Sequence, residues 1–234
     1  MNNWDLYNLV NYHLNKEQTG NTFSASEFEM VLNQKSYLRL RQLLGLPEQY
    51  QLELPVSTFG YGKTTNINDA IKPFITHDKA LNLSLGKVSV PTDYYYFISS
   101  YYDLIISNDC NDTTVEQVII EPCSLSEFNS RKSGWYAAPD VNYPILTITD
   151  SIYVLPKGIK KINFSYVRKP KNAVIETTIN SYGEEEYDAT NSVELEWEDS
   201  EKYILAGMIL LSAGINLRET DIIQSAQLLK QGGE

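Results

Sequence analysis

The stretch SVELEWEDSEKYILAGMILLSAGINLRETDIIQSAQLLK, which runs from Ser192 to Lys230, decides the fold of this chain. Between Tyr203 and Ala213 every residue except Ser212 is apolar or glycine, so a helix formed there has no polar face and must be enclosed on most sides. The apolar run is shorter than the ~20 residues that a membrane-spanning helix needs. The pattern therefore predicts a core helix and disfavours a membrane helix.

A strand and a second helix are predicted on either side of this core helix. From Val193 to Trp197 apolar residues alternate with glutamates, which is typical of a half-buried strand. Asp199 or Ser200 offers an N-cap for the core helix. Residues 222–229 carry apolar side chains on one helical face, so a second helix is expected to pack back on the first. The segment 192–234 is thus a strand plus C-terminal helices.

The rest of the chain divides into a helical start and a β-rich middle. Residues 1–50 have two runs of helical periodicity and predict an N-terminal helical hairpin that packs with the C-terminal helices. Residues 51–175 contain short apolar runs between Pro, Asn and Asp clusters, which favour a mainly antiparallel β region. Residues 176–191 lack an apolar cluster and predict a mobile acidic loop. The fold class is therefore α+β, with the terminal helices in a bundle and a central antiparallel β region.

Particular strands can be named within the middle region. The run 93–107 is ambiguous, because its aromatic and β-branched residues favour a strand while Pro91 and Asp93 could start a helix; we favour the strand. The other predicted strands are 85–90, 115–120, 145–148, 152–155 and 159–167.

Composition excludes some classes of function. The chain has 19 basic and 30 acidic residues and a net charge of −11, so it repels a phosphate backbone, and tight sequence-independent DNA binding is not expected. Cys110 and Cys123 are the only cysteines, too few for a disulfide framework, although one bond between them is possible. The first residues lack the pattern of a signal peptide, which favours a cytosolic product.

Charge is also unevenly distributed along the chain. Six basic residues and no acid lie from Lys157 to Lys171, whereas ten acids and no base lie from Glu176 to Glu201. Two solvated faces would explain this pattern. A head-to-tail interface between neighbouring copies, basic edge against acidic loop, would explain it as well. The residues assigned to such a subunit interface are Lys160, Lys161, Arg168, Lys169, Glu184, Glu185 and Glu186.

The patterns that could carry chemistry are incomplete. The run from Gly60 to Thr65 matches only the second half of a nucleotide-binding Walker loop, because Ser57 stands where the first glycine is needed. His13 and His77 lack the spacing of metal ligands, and neither cysteine has a histidine at a spacing that suggests a catalytic pair. We therefore expect no enzyme activity, no cofactor and no metal. Nucleotide binding through the glycine loop stays as an alternative.

A run of tyrosines suggests another alternative, a sheet that binds host or glycan. Aromatic rings can form a platform for sugars, but they serve equally in a buried sheet face or a protein interface. The five tyrosines concerned are Tyr94, Tyr95, Tyr96, Tyr101 and Tyr102.

Three segments together, 61–99, 125–170 and 193–230, resemble a family of virion structural proteins from tailed phages of Bacteroidetes hosts, including crAss-like phages. The resemblance lies in the order and spacing of five short motifs. Their positions here are Pro91, Asp93 and Tyr94; Glu127, Phe128 and Arg131; Val154, Pro156 and Ile159; Tyr166, Arg168 and Pro170; and Glu194 and Trp197.

This resemblance implies a head-to-tail connector or adaptor protein located in the neck or tail of the virion and made in the cytoplasm of the host bacterium. Such proteins form a ring, here expected to be twelvefold, that binds the portal and other connector or tail proteins. DNA passes through the channel of the ring without tight binding, and no membrane is involved. Simple adaptors are mostly helical, so the large β region of this chain also allows an outer or a tail-side ring.

Overall fold

The computed structural model describes residues 1–14, 22–45, 69–107, 113–134, 138–183, 185–217 and 227. It contains helices α1 (Asn3–Leu14), α2 (Ala25–Leu43), α3 (Leu125–Ser133) and α4 (Asp199–Leu217). Its strands are β1 (Ile75–Asn82), β2 (Lys87–Ser89), β3 (Tyr94–Ser107), β4 (Thr113–Ile119), β5 (Glu121–Pro122), β6 (Ile145–Ile148), β7 (Ser151–Leu155), β8 (Lys161–Arg168), β9 (Thr177–Ile179) and β10 (Glu185–Tyr187). The predicted α+β fold is confirmed.

The chain forms two compact units. The first combines residues 1–73 with residues 170–234, and the second consists of residues 74–169. The second unit therefore interrupts the first in sequence, so the helices at both ends of the chain belong to one unit. The β region predicted for residues 51–175 corresponds to the narrower range 74–169.

Helix α4 lies at the centre of the first unit and packs against α1 and α2, the arrangement that the sequence predicts for the terminal helices. All residues from Ile204 to Leu210 are buried. Helix α2 is started by a capping box, in which the Ser24 hydroxyl accepts from the Glu27 amide and the Glu27 carboxylate accepts from the Ser24 amide. The second C-terminal helix, expected at residues 222–229, lies outside the described residues except for residue 227.

Two polar contacts, one partly buried and one buried, connect α4 and the segment before it to α2. The Arg39 guanidinium donates to both carboxylate oxygens of Glu201, at 2.7 and 3.1 Å. The Trp197 indole N–H donates to the Ser36 hydroxyl at 2.7 Å, and both side chains are buried. A bidentate pair fixes the direction as well as the distance of approach, so these contacts set how the helices pack.

The strand predicted from Val193 to Trp197 is not part of a sheet. Leu195 and Trp197 are buried as expected while Val193 is exposed, and among the described residues the ladder contact of this segment is a single bridge to Val174. Helix α1 supplies the other partners, because the Asn3 side chain donates to the Val193 carbonyl and accepts from the Leu195 amide. A side-chain amide thus replaces the neighbouring strand that the pattern implied.

The start of α4 also differs from the prediction. Asp199 is already helical, and the Lys202 amide donates to the Glu198 carbonyl at 3.0 Å, so the N-cap is Glu198 rather than Asp199 or Ser200.

The predicted acidic loop, residues 176–191, contains a β-hairpin. Strands β9 and β10 pair antiparallel in a two-stranded sheet, with Tyr187 opposite Thr177 and Glu185 opposite Ile179. A turn at Asn180 to Gly183 joins them, closed by a hydrogen bond of 3.0 Å between the Gly183 amide and the Asn180 carbonyl. The strands lack apolar residues at most positions, which is why the composition indicated a loop.

The second unit is built from two four-stranded sheets. The strand order is β1-β8-β3-β4 in the first sheet and β2-β7-β6-β5 in the second. Side chains from both sheets share one apolar cluster, which includes Phe164 and Tyr166 of β8 and Ile152 and Val154 of β7. All named pairs are antiparallel except β5 with β6, so the mainly antiparallel prediction agrees with the structure.

Residues 93–107 form a strand, as we favoured, and each of the other five predicted strand regions contains a strand. The sequence did not indicate β1, whose stretch ITHDKALN has no clear alternation, nor the short β5. Helix α3 was also missed, because it has Phe128 as its one buried residue.

In the described part of the chain, no helix is both long enough and apolar enough to span a membrane.

Candidate subunit-association surface

Strands β3 and β4 form a two-stranded ribbon that has exposed apolar side chains on one side. Tyr102 and Leu104 of β3 point into the core cluster, so the alternation of a strand turns Tyr101, Asp103 and Ile105 to the opposite side. We call that side the outer face. The register places Ile119 opposite Tyr101, Gln117 opposite Asp103, and Val115 opposite Ile105.

The apolar side chains of the outer face lie in water in the isolated chain. Ile105, Val115 and Ile119 have 68%, 62% and 77% of their surface exposed. Farther along β3, Tyr96 and Ile98 are also exposed. Single exposed apolar residues are ordinary, but several on one face of paired strands are typical of an interaction site.

The backbone of this ribbon is exposed to association as well. From Tyr102 to Ser107, β3 pairs with β4 alone, because the pairing of β8 with β3 ends at Tyr101. Strand β4 is the edge of its sheet. A long apolar edge strand is a template for pairing with another chain, and proteins that remain monomeric usually protect such an edge with charge or a covering segment.

Two of the predicted basic interface residues flank this face. Lys161 lies on β8 two residues before Asn163, which is opposite Tyr101, so Lys161 has its side chain on the outer face. Lys160 immediately precedes the strand, and both lysines are exposed. No described acid forms an ion pair with either of them.

The other two predicted basic residues differ from this pair. The Arg168 guanidinium lies 5.7 Å from the centre of the Phe74 ring, a cation–π contact within the unit. Lys169 is exposed, and its amide donates to the Asp93 carbonyl at 2.8 Å. Arg168 therefore has a structural contact, and Lys160 and Lys161 are the stronger candidates for an interface.

Much of the acidic run from Glu176 to Glu201 is used inside the chain. Glu194 accepts from the Asn3 amide, Glu196 pairs with Lys171 at 3.5 Å, and Glu201 pairs with Arg39. Asp199 pairs with Lys202. The charge segregation seen in the sequence is thus partly compensated by the fold, which reduces the set of acids available to a partner.

The predicted acidic interface residues lie at the β9–β10 hairpin. Glu185 and Glu186 are exposed on β10, and Glu184 lies outside the described residues. Two apolar side chains of the same hairpin are exposed to a similar degree, Ile179 at 77% and Tyr182 at 87%. Ile179 and Tyr182 are isolated among polar neighbours in the sequence, so the local pattern did not indicate them as part of an interface.

The base of the hairpin is held by contacts with other residues of the first unit, to which the hairpin belongs. The Tyr187 ring stacks on Trp4 with centroids 5.9 Å apart, and its hydroxyl donates to the Glu194 carboxylate in a short hydrogen bond. Burial, followed by the nearby Glu194, raises the pKa of Tyr187, so the hydroxyl stays protonated and remains a donor. Asp188 then closes a turn by accepting from the Thr190 and Asn191 amides.

The tyrosine run does not form one platform. Tyr94 and Tyr102 face the core cluster, where Tyr94 lies 5.8 Å from the Tyr166 ring. Tyr96 and Tyr101 do not belong to that cluster, and Tyr95 is half-buried. A strand alternates its faces, so consecutive tyrosines cannot all line one sugar site.

Of the two cysteines considered for catalysis, the structure describes Cys123. The Cys123 thiol is half-buried and donates to the Leu146 carbonyl at 3.4 Å. Burial and the nearby Glu127 raise its pKa, which is the wrong direction for a nucleophilic thiolate. Cys110 and the Gly60–Thr65 loop lie outside the described residues, as do Glu184 and residue 57.

The side chains of the described residues do not form a metal site. No group of three or more His, Cys, Asp or Glu there could hold a metal ion. His77 is exposed on β1, and His13 is in the last turn of α1.

Several residues on which the phage-family resemblance rests act as structural contacts. The Tyr166 hydroxyl donates to Asp93 at 2.8 Å and accepts from Lys79 at 3.0 Å. Arg131 bridges Glu121 and Glu127 at 2.8 and 2.9 Å. These residues hold loops and helices to the sheets, so the motifs to which they belong have structural roles in the fold.

No model of a known protein family matches the chain, and no curated protein matches it either. The functional argument therefore depends on the surfaces described above. Among them, the outer face of the β3–β4 ribbon combines exposed apolar residues, a strand at the edge of its sheet and two lysines that form no ion pair with a described acid.

Proposed function

We propose that this chain is a structural subunit that associates with copies of itself, and that it serves in the head-to-tail connector of a tailed phage as a ring around the DNA channel. The observation that carries the proposal is the exposed apolar outer face of β3 and β4, where Ile105, Val115 and Ile119 lie in water in a single chain. Covering these side chains removes apolar surface from water, which stabilises the association by roughly 25 cal/mol for each Å² buried.

The charge of the chain supports the channel role. At a net charge of −11, the wall of a ring built from many copies repels phosphate and lets DNA slide instead of holding it. The place of the ring, between the portal and the tail in the virion neck, comes from the resemblance of the motifs. The twelvefold symmetry of the ring has the same basis.

Self-association is tested by sedimentation of the purified chain over a range of concentrations. The variant Ile105→Thr with Ile119→Thr keeps β-branched residues in the strands while removing apolar surface. We expect association to weaken about tenfold or more, as for residues at the centre of an interface. Tyr143→Ser is the matched control, because Tyr143 is 78% exposed but lies outside the outer face.

The connector role is tested by electron cryomicroscopy of the phage particle that contains this chain. A rotationally symmetric ring between portal and tail, built from this chain, is the expected result. The connector proposal fails if the chain is absent from the particle. The wider proposal of a self-associating subunit fails if the chain is also monomeric at every concentration tested.

A further inference from the structure

We infer that the β9–β10 hairpin of one copy docks on the outer face of the β3–β4 ribbon of the next copy, so that the subunits join head to tail. This inference rests on the proposed function and names the partner of that surface. It assigns a role to Ile179 and Tyr182, whose exposure has no other explanation within the chain.

The hairpin has the structure of an arm. Its base is held by the Tyr187–Trp4 stack and by the turn at Asp188, whereas Ile179 and Tyr182 near its tip are among the most exposed apolar residues of the chain. A two-stranded sheet is marginally stable by itself. An anchored hairpin that ends in exposed apolar groups gains stability when a partner covers its tip.

The outer face offers a matching acceptor. Ile105 with Val115 and Tyr101 with Ile119 form cross-strand pairs on one side of the ribbon. These pairs form two apolar patches separated by the polar pair of Asp103 and Gln117, and an aromatic ring such as Tyr182 can pack on either patch. Ile119 of the acceptor is 77% exposed and Tyr182 of the hairpin is 87% exposed, so both side chains have apolar surface for a partner to cover.

Lysines at the border of the acceptor are opposite in charge to the carboxylates of the hairpin, while Asp103 also lies on the outer face. Glu185 is directly opposite Ile179 in the hairpin and therefore shares a face with it. On the acceptor, Lys161 lies on the same outer face as Tyr101, with Lys160 next to it. Contact between Ile179 and the patch at Tyr101 and Ile119 would bring the Glu185 carboxylate toward these lysines, which favours this orientation and speeds association.

The two surfaces belong to different parts of the chain, so the contact is heterologous. A heterologous contact repeats from copy to copy and closes into a ring when the rotation allows it. A ring of identical subunits around a channel requires a contact of this kind.

The direct test is disulfide formation between two variants, each with a single cysteine, made in a Cys110→Ser, Cys123→Ser background. One variant carries Tyr182→Cys and the other Ile119→Cys. Under mild oxidation we expect a crosslinked dimer when the two are mixed. Each variant alone is expected to give no more crosslinking than a control pair in which Tyr143→Cys replaces Ile119→Cys.

A second test exchanges the charges. The variant Lys160→Glu with Lys161→Glu should associate about tenfold more weakly at low salt, and so should Glu185→Lys with Glu186→Lys. In a mixture of the two variants, both kinds of contact between unlike variants are attractive, so mixed dimers should form at concentrations at which neither variant associates with itself.

The outcomes separate this inference from the proposed function. If the chain self-associates but the mixed cysteine variants do not crosslink above the control, the hairpin is not the occupant and the inference is wrong. Crosslinking of Ile119→Cys with itself would show an isologous contact and would also overturn it. If no self-association occurs at all, the proposed function fails together with the inference.

Discussion

Gly86 is a residue that the surrounding backbone requires. Its φ angle is +77°, and a Cβ atom added there would lie 2.6 Å from the Val154 carbonyl oxygen. That carbonyl belongs to β7, and the Val154 amide donates to the Gly86 carbonyl at 2.8 Å. The turn before β2 can thus approach β7 only because residue 86 has no side chain.

We expect Gly86→Ala to lower the free energy of unfolding by about 1–3 kcal/mol, because it adds a steric clash to a left-handed backbone. Gly183→Ala is the matched control, since Gly183 has a φ angle of +82° and open space around its Cα. The control should cost about 1 kcal/mol from the backbone alone. Urea denaturation measures both, and an equal loss in the two variants would contradict the role of the close approach to Val154.

Asp188 gives the hairpin base a dependence on pH. Hydrogen bonds from the Asn191 side chain and the Thr190 backbone amide lower the pKa of its carboxyl group below the ordinary value of an aspartate. A lowered pKa means that the folded state favours the ionised form, so this contribution to stability is present above the unfolded pKa and is lost as the pH falls through the folded pKa.

The variant Asp188→Asn should therefore show a smaller loss of stability between neutral pH and about pH 3 than the parent chain. Denaturation curves over this range measure the difference. The explanation is wrong if the parent and the variant lose stability with the same slope.

At the level of elements, α2 and the segment before α4 are joined by a buried hydrogen bond. The Trp197 indole lies 2.7 Å from the Ser36 hydroxyl, with 3% and 2% of these residues exposed. An unpaired polar group in such a place costs about 1–3 kcal/mol. The contact therefore selects one orientation of the Trp197 ring against α2.

Ser36→Ala should lower the free energy of unfolding by about 1–3 kcal/mol, because it removes the acceptor of the indole N–H. With Trp197→Phe and the double variant, it forms a double-mutant cycle that isolates the interaction. Ser26→Ala, on the exposed surface of the same helix, is expected to be nearly neutral. Strict additivity in the cycle would show that the bond does not couple the two elements.

At the level of the whole molecule, the two units differ in how their sequence is arranged. Residues 74–169 are continuous and contain their own apolar cluster between two sheets. The first unit needs both ends of the chain, because α1 and α2 enclose α4. Its formation therefore depends on contacts between residues far apart in sequence.

A fragment of residues 74–169 should consequently fold alone, since its core is complete within the fragment. Circular dichroism and a cooperative thermal transition would demonstrate this. The combination of residues 1–73 with 170–234 as two separate peptides provides the contrasting case. A fragment without cooperative unfolding would contradict the division into two units.

Local patterns in the sequence determined the parts of this protein that depend on neighbours along the chain. The apolar run after Tyr203 required a buried helix, Ser24 and Glu27 began α2, and aromatic and β-branched residues made 94–107 a strand. Each follows from periodicity or from hydrogen bonds over three or four residues. The predicted interface residues Lys160, Lys161, Glu185 and Glu186 also came from a local pattern, the segregation of charge.

Tertiary structure alone decided which of these groups remain available to a partner. Glu196 is paired with Lys171 and Glu201 with Arg39, whereas Ile119 and Tyr182 are left in water. It also made Asn3, and not a neighbouring strand, the partner of residues 193–195. The physical reason is that such pairings join residues far apart in the chain, from 25 positions for Lys171 and Glu196 to 192 positions for Asn3 and Leu195, and no local periodicity specifies which distant groups will meet.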